Sequence, residues 1–88
     1  MPITIEKLSQ KKRAALRLDQ WPIWQCEVSA FPWHYDQEES CYILDGEITV
    51  TTADQTVRIV PGDYVTFPQG LDYTSQVHTA VRKHYLFR

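Results

Sequence analysis

Trp33-His34-Tyr35-Asp36-Gln37-Glu38-Glu39-Ser40-Cys41-Tyr42-Ile43-Leu44-Asp45-Gly46 is the stretch on which the reading of this chain turns. It sets aromatic side chains, a carboxylate inside an apolar-leaning run and a turn signal within one short span. Strand residues alternate between faces. Glu39, Cys41 and Ile43 therefore share one face, and Ser40, Tyr42 and Leu44 the other. Asp45-Gly46 between two such runs predicts a hairpin, because glycine accepts positive φ and aspartate nearly so. The following run, 47–52, reads as the return strand. A hairpin with one inward carboxylate suggests an all-β barrel that holds something.

Outward from this centre the chain keeps the same texture. Residues 3–8 alternate and start β-branched, which predicts a strand. Ser9 can cap a short helix over 10–18, rich in helix formers. Lys11, Lys12 and Arg13 fall in its first turn, where the helix dipole disfavours them, so the helix is expected to run two or three turns at most. Pro22 holds Trp21 extended, 23–28 reads as a strand, and Ala30-Phe31-Pro32-Trp33 as a corner. Beyond the centre, 53–55, Pro61-Gly62-Asp63 and Pro68-Gln69-Gly70 are turns. They separate predicted strands at 56–60, 64–67, 71–78 and 81–87. Eight or nine short strands punctuated by Gly and Pro make a sandwich or barrel.

Composition narrows the function. Eighty-eight residues make one domain. Its reading is an N-terminal strand and short helix over 1–20 and a barrel over 21–88. A net charge of −2 gives no electrostatic case for nucleic acid. No apolar run approaches the roughly 20 residues of a membrane helix, and the first residues carry no signal-peptide pattern. A cytoplasmic protein is expected, with Cys26 and Cys41 as thiols. The chain shows no phosphate-binding glycine loop, nucleophile elbow, paired CxxC or HExxH helix.

Two blocks carry a family likeness. Glu39 with six residues before Gly46 matches the end of the first cupin motif. Gly62 with five residues before Pro68-Gln69-Gly70 matches the start of the second. With Trp21-Pro22-Ile23-Trp24 and Val81-Arg82-Lys83-His84-Tyr85, the chain over about 20–88 resembles small single-domain cupins of the (S)-ureidoglycine aminohydrolase type. The resemblance implies a double-stranded β-helix, a small jelly-roll barrel often paired into homodimers. Metal-binding cupins place three His and one Glu at these motifs. Here the Glu is Glu39, and the second-motif His position is Tyr73. The first-motif His positions fall on Trp33 and Tyr35, or, with one more residue in the gap, on Pro32 and His34.

On the first register the barrel presents Trp33, Tyr35, Glu39, Cys41 and Tyr73, and His34 points out. Transition metals prefer converging imidazole and carboxylate ligands, so no tightly bound metal is expected. On the second register, His34 and Glu39 are the pair that would hold a divalent transition metal. The expected function is binding of a small polar or aromatic metabolite, with rings supplying contact area and Glu39 orientation. Glu39 is also the one candidate general acid or base. The alternatives are a metal-dependent enzyme acting on a ureido, amide or sugar-like substrate, and a dimerising module with Tyr42, Leu44, Trp21 and Trp24 outward. For the last strand, alternation pairs Lys83 with Tyr85 and His84 with Leu86. It leaves open which pair faces in.

Overall fold

The computed structural model describes residues 3–87; Met1, Pro2 and Arg88, which the sequence reading includes in the domain, lie outside it. Along the chain run β1 (Thr4–Lys7), α1 (Gln10–Leu16), a 3-10 turn (Leu18–Gln20), β2 (Ile23–Cys26), β3 (Ser29–His34), β4 (Glu39–Thr51), β5 (Thr56–Ile59), β6 (Asp63–Phe67) and β7 (Asp72–Phe87). The fold is an all-β double-stranded β-helix, a jelly-roll barrel with one short helix outside it.

Two long antiparallel strands, β4 and β7, form its spine. Their pairing runs from Glu39↔Phe87 to Thr51↔Thr74. Each changes its other neighbour half-way. β4 pairs with β6 over Glu39–Tyr42 and with β5 over Ile48–Thr51. β7 pairs with β3 over Asp72–Val77 and with β2 over Val81–His84. The spine thus belongs to two sheet halves that close over one core, whose fully buried members include Cys41, Ile43, Val50, Ile59, Val65 and Val77.

This arrangement corrects three sequence expectations. Asp45-Gly46 is not a hairpin turn, because β4 passes straight through it. Inward positions are odd before it (Glu39, Cys41, Ile43) and even after it (Ile48, Val50). A strand that alternates strictly cannot do this, so the register slips at Asp45 and Glu47. The bulge resets the faces. Gly46 sits at φ 98°, and a Cβ there would lie 2.5 Å from the Ala80 carbonyl oxygen and 2.6 Å from Val81 Cα. The glycine is required by a crossing of two bent strands, not by a turn.

Second, the predicted corner at 30–33 lies inside β3. Pro32 is tolerated because, among the described residues, β3 pairs only with β7 and its other edge needs no donor. Third, the two predicted final strands are one strand of 16 residues. At the N-terminus β1 pairs with β6, and the helix read over 10–18 ends at Leu16: Ser9 caps α1 by accepting from Lys12 N, and the helix stops after two turns at Arg17, in the left-handed region at φ 55°. The helix buries none of its own residues; Arg13 reaches the Tyr42 hydroxyl at 3.1 Å. No helix among the described residues is long and apolar enough to cross a membrane.

Candidate functional site

The inside of the barrel is not filled solidly. A cavity of about 260 Å³ opens there, walled by Tyr35, Phe67, Tyr73 and Phe87, with Trp24 and Trp33 at its lip and Glu39 and Lys83 inside. Register explains why these residues meet. Glu39 begins β4 and lies between Phe67 of β6 and Phe87 of β7. Tyr73 faces Trp33 across the β3–β7 ladder. Tyr35, just past β3, is clamped to the Pro68-Gly70 turn: its N–H donates to Leu71 O at 3.0 Å and its carbonyl accepts from Gly70 N at 2.8 Å. The Tyr35, Phe67 and Tyr73 rings stack on one another, with centroids 5.1–5.7 Å apart and planes within 25°.

Lys83 is the residue that sequence reasoning left undecided. It lies on β7 opposite Ile43 and beside Trp24 of β2. Only 8% of it is exposed. Its Nζ donates to both Glu39 oxygens, at 3.2 and 3.4 Å, and stands 5.0 Å from the centre of the Trp24 ring. The Tyr35 hydroxyl donates a short hydrogen bond to Glu39 Oε1, and the Tyr73 hydroxyl donates to Tyr35 at 3.3 Å. One buried acid therefore receives a phenol and an ammonium, and a second phenol backs the first.

The electrostatics follow from burial. Burial lowers the Lys83 pKa, but the Cys41, Glu39 and Tyr73 acids around it outweigh this, and the net shift is upward. Cys41, one inward step along β4 from Glu39, is itself pushed up to about 12, first by burial. It is a neutral thiol at pH 7, so Glu39 is the acid that keeps Lys83 charged there. Burial, then the Glu39 charge, raises Tyr35. Tyr73 is raised by burial against the opposing pull of its bond to Tyr35 and of Lys83. Both phenols stay protonated and act as donors.

Of the residues proposed from sequence, the fold brings together Tyr35, Glu39, Tyr73 and, at the lip, Trp33, which is half exposed. Cys41 has no part in the cavity wall; it is wholly buried in the core below. His34 does not join Glu39. With Tyr35 turned inward, alternation throws His34 onto the outer face, where Nδ1 lies 2.7 Å from Asp72 and Nε2 3.6 Å from Asp36. Trp24, expected on an outer interface, lines the cavity. The signal for Lys83 was present: it shares parity with Tyr73, Val77 and Val81, which becomes visible once 72–87 is read as one strand.

This donor set does not fit a transition metal. Among the described residues the cavity's one acid already faces an ammonium, its neighbours are protonated phenols, and His34 lies outside. Among the described residues no group of three His, Cys, Asp or Glu could hold a metal ion.

Comparison with known proteins agrees with the fold. A family model described as the EutQ-like cupin domain matches residues 13–85. The crystal structure of a DUF861 family protein from Thermotoga maritima is 46% identical, with 99% of this chain and 100% of that chain covered and a TM-score of 0.97. The Clostridium difficile EutQ protein (16% identity, 97% and 66% covered, TM-score 0.69) and the Schizosaccharomyces pombe Cnp3 cupin domain (18%, 97% and 63%, 0.62) share the fold. No curated protein matches.

Proposed function

From a chain that belongs to the EutQ-like cupin family, and whose barrel end is hollow and ringed by aromatic side chains, we propose a receptor for a small organic molecule that needs no tightly held metal. The observation that carries this reading is the buried Glu39–Lys83 pair set in the wall of an open apolar cavity. A polar pair in such a place fixes the orientation of a guest whose body the rings enclose. The cavity is small. A benzene-sized guest fits a cavity of about 150 Å³, so about 260 Å³ admits one ring with a few further atoms. In this reading Trp33, Tyr35, Phe67 and Tyr73 supply contact area, and Glu39 and Lys83 supply direction.

The second reading, a metal-dependent enzyme of the ureidoglycine aminohydrolase type, rests on Glu39 standing at the motif's carboxylate position. It requires Glu39 to exchange Lys83 for a metal. One experiment separates the two: titration of the chelator-treated protein with small aromatic probes, read by Trp24 and Trp33 fluorescence. Receptor binding is expected to persist in EDTA and to disappear in Val50→Trp, which fills the cavity from its wall. Near-stoichiometric Mn, Fe, Ni or Zn in protein purified without chelator, lost in Glu39→Ala, would overturn the receptor reading in favour of the enzyme.

A further inference from the structure

The charges inside the cavity are already balanced. Among the described residues, Lys83 and Glu39 cancel, the Tyr35, Tyr73, Tyr85 and Ser75 hydroxyls carry no charge at pH 7, and the remaining wall is ring and aliphatic carbon. A carboxylate guest on Lys83 would stand beside Glu39, and an ammonium guest on Glu39 would stand beside Lys83. Either would enter a desolvated site with a like charge within a few ångströms and no spare countercharge among the described residues, which is costly. An ionised headgroup is the wrong match.

Hydrogen-bonding capacity points the same way. Among the described residues, Glu39 Oε1 accepts from both Tyr35 and Lys83, whereas Oε2 accepts only the long 3.4 Å bond from Lys83. The ammonium has three N–H groups, and its hydrogen-bond acceptors are the two oxygens of that single carboxylate; the Trp24 and Phe67 rings, with centres 5.0 and 5.8 Å away, offer it faces but no acceptor atom. One acceptor and one donor therefore lie side by side in the cavity with capacity to spare. The complementary group presents a carbonyl oxygen to Lys83 and, next to it, an N–H to Glu39 Oε2. The neighbouring stack of Tyr35, Phe67 and Tyr73 is planar and favours a planar partner.

We propose that the ligand is an uncharged, single-ring planar molecule with an amide edge, an aromatic carboxamide or a lactam, held by Lys83 and Glu39 together. This rests on the receptor reading above and sharpens it to a chemical class.

The test uses four probes that share one ring: benzamide, benzoate, benzylamine (protonated at pH 7) and toluene. Each is titrated into the whole protein at pH 7 and followed by tryptophan fluorescence and by amide chemical shifts. Benzamide is expected to bind at least tenfold more tightly than either ion and more tightly than toluene. The double variant Glu39→Leu/Lys83→Met keeps the wall without its charges or their hydrogen-bonding atoms. There benzamide should lose its advantage over toluene, while toluene binding stays within about twofold. Benzoate or benzylamine binding as well as benzamide would overturn the amide assignment and leave the receptor standing, as would an unchanged benzamide preference in the double variant. Failure of all four, toluene included, to perturb residues of the cavity defeats the receptor reading itself, and this one with it.

Discussion

Replacing Lys83 by methionine keeps the length and apolar bulk of the side chain and removes its charge. The Lys83 and Glu39 side chains are 10% and 5% exposed, so the loss leaves Glu39 in a site that water barely reaches, with Tyr35 as its one remaining strong donor. Removing one partner of a buried pair costs about 3–5 kcal/mol, whereas an exposed pair is worth roughly 0–1 kcal/mol. Burial decides which figure applies. Lys83→Met is therefore expected to lose about 3 kcal/mol or more in urea-unfolding experiments, with m unchanged. At about 4 °C or more per kcal/mol for a chain of this size, Tm falls by at least about 12 °C.

The cycle sharpens the argument. Glu39→Gln strands the ammonium instead, and its burial, no longer offset by the carboxylate, favours the neutral amine. A group whose folded pKa is depressed gains stability as pH rises, so the deficit of Glu39→Gln should shrink between pH 7 and 10. Glu39→Gln/Lys83→Met has no buried charge left and is expected to recover most of the loss of either single variant, because neutral replacement of a buried pair is often close to neutral overall. Additive losses in the cycle, or a Lys83→Met loss below about 1 kcal/mol, would mean that the pair behaves as a solvated surface contact.

Three further outcomes follow from the same coordinates. The pKa values of Cys41, Tyr35 and Lys83 are all raised by the fold. Each group holds its proton more tightly folded than unfolded, so its contribution is intact below its unfolded pKa and is lost as pH rises through the folded one. Cys41 titrates first, from 9.0 unfolded towards about 12 folded; stability should fall by about 1.4 kcal/mol per pH unit above pH 9, and Cys41→Ala should flatten the limb between pH 9 and 10. Gly46→Ala is expected to cost about 2–5 kcal/mol from positive φ plus backbone overlap. Gly62→Ala, at φ 91° with only Lys7 Nζ at 3.9 Å from its Cβ, should cost about 1–2 kcal/mol from φ alone; equal losses would remove the crossing argument. Native protein should present one thiol to Ellman's reagent at a measurable rate, the half-buried Cys26, and release Cys41 only on unfolding; two fast thiols would show that the core under the cavity opens.

The limits of the sequence reading have physical causes. Local alternation identified Glu39, Cys41 and Ile43 as one face, the register implied by the family resemblance placed Tyr35 inward, and all four side chains are buried. What it could not see was continuity. Asp45-Gly46 has the chemistry of a turn, but a glycine serves a positive-φ bulge as well as a hairpin, and only the 2.5 Å approach of Ala80 O decides between them. The break assumed at 79–80 had the same effect at the other spine strand. It detached Lys83 from the parity of Tyr73 and Val77, so the one cation of the cavity among the described residues stayed unassigned. Trp24 went to the outside for the related reason that an edge strand exposes both faces to any reader who does not know its partner. It stands beside Lys83 only because β2 pairs with β7.

These misses share one consequence for chemistry. A carboxylate within an apolar barrel needs a positive charge close by, and among the described residues the cavity around Glu39 offers phenols and rings but no imidazole. The charge must then come from the chain. Only an inward position on a strand crossing the Glu39 end can deliver it, and β7 supplies one at Lys83, 3.2 Å from the carboxylate. The two features act together: phenols that stay protonated donate to the acid, and a tethered ammonium neutralises it. Restoring imidazoles alone would therefore not restore a metal site, because the ammonium would still occupy the carboxylate; Lys83 would have to leave as well.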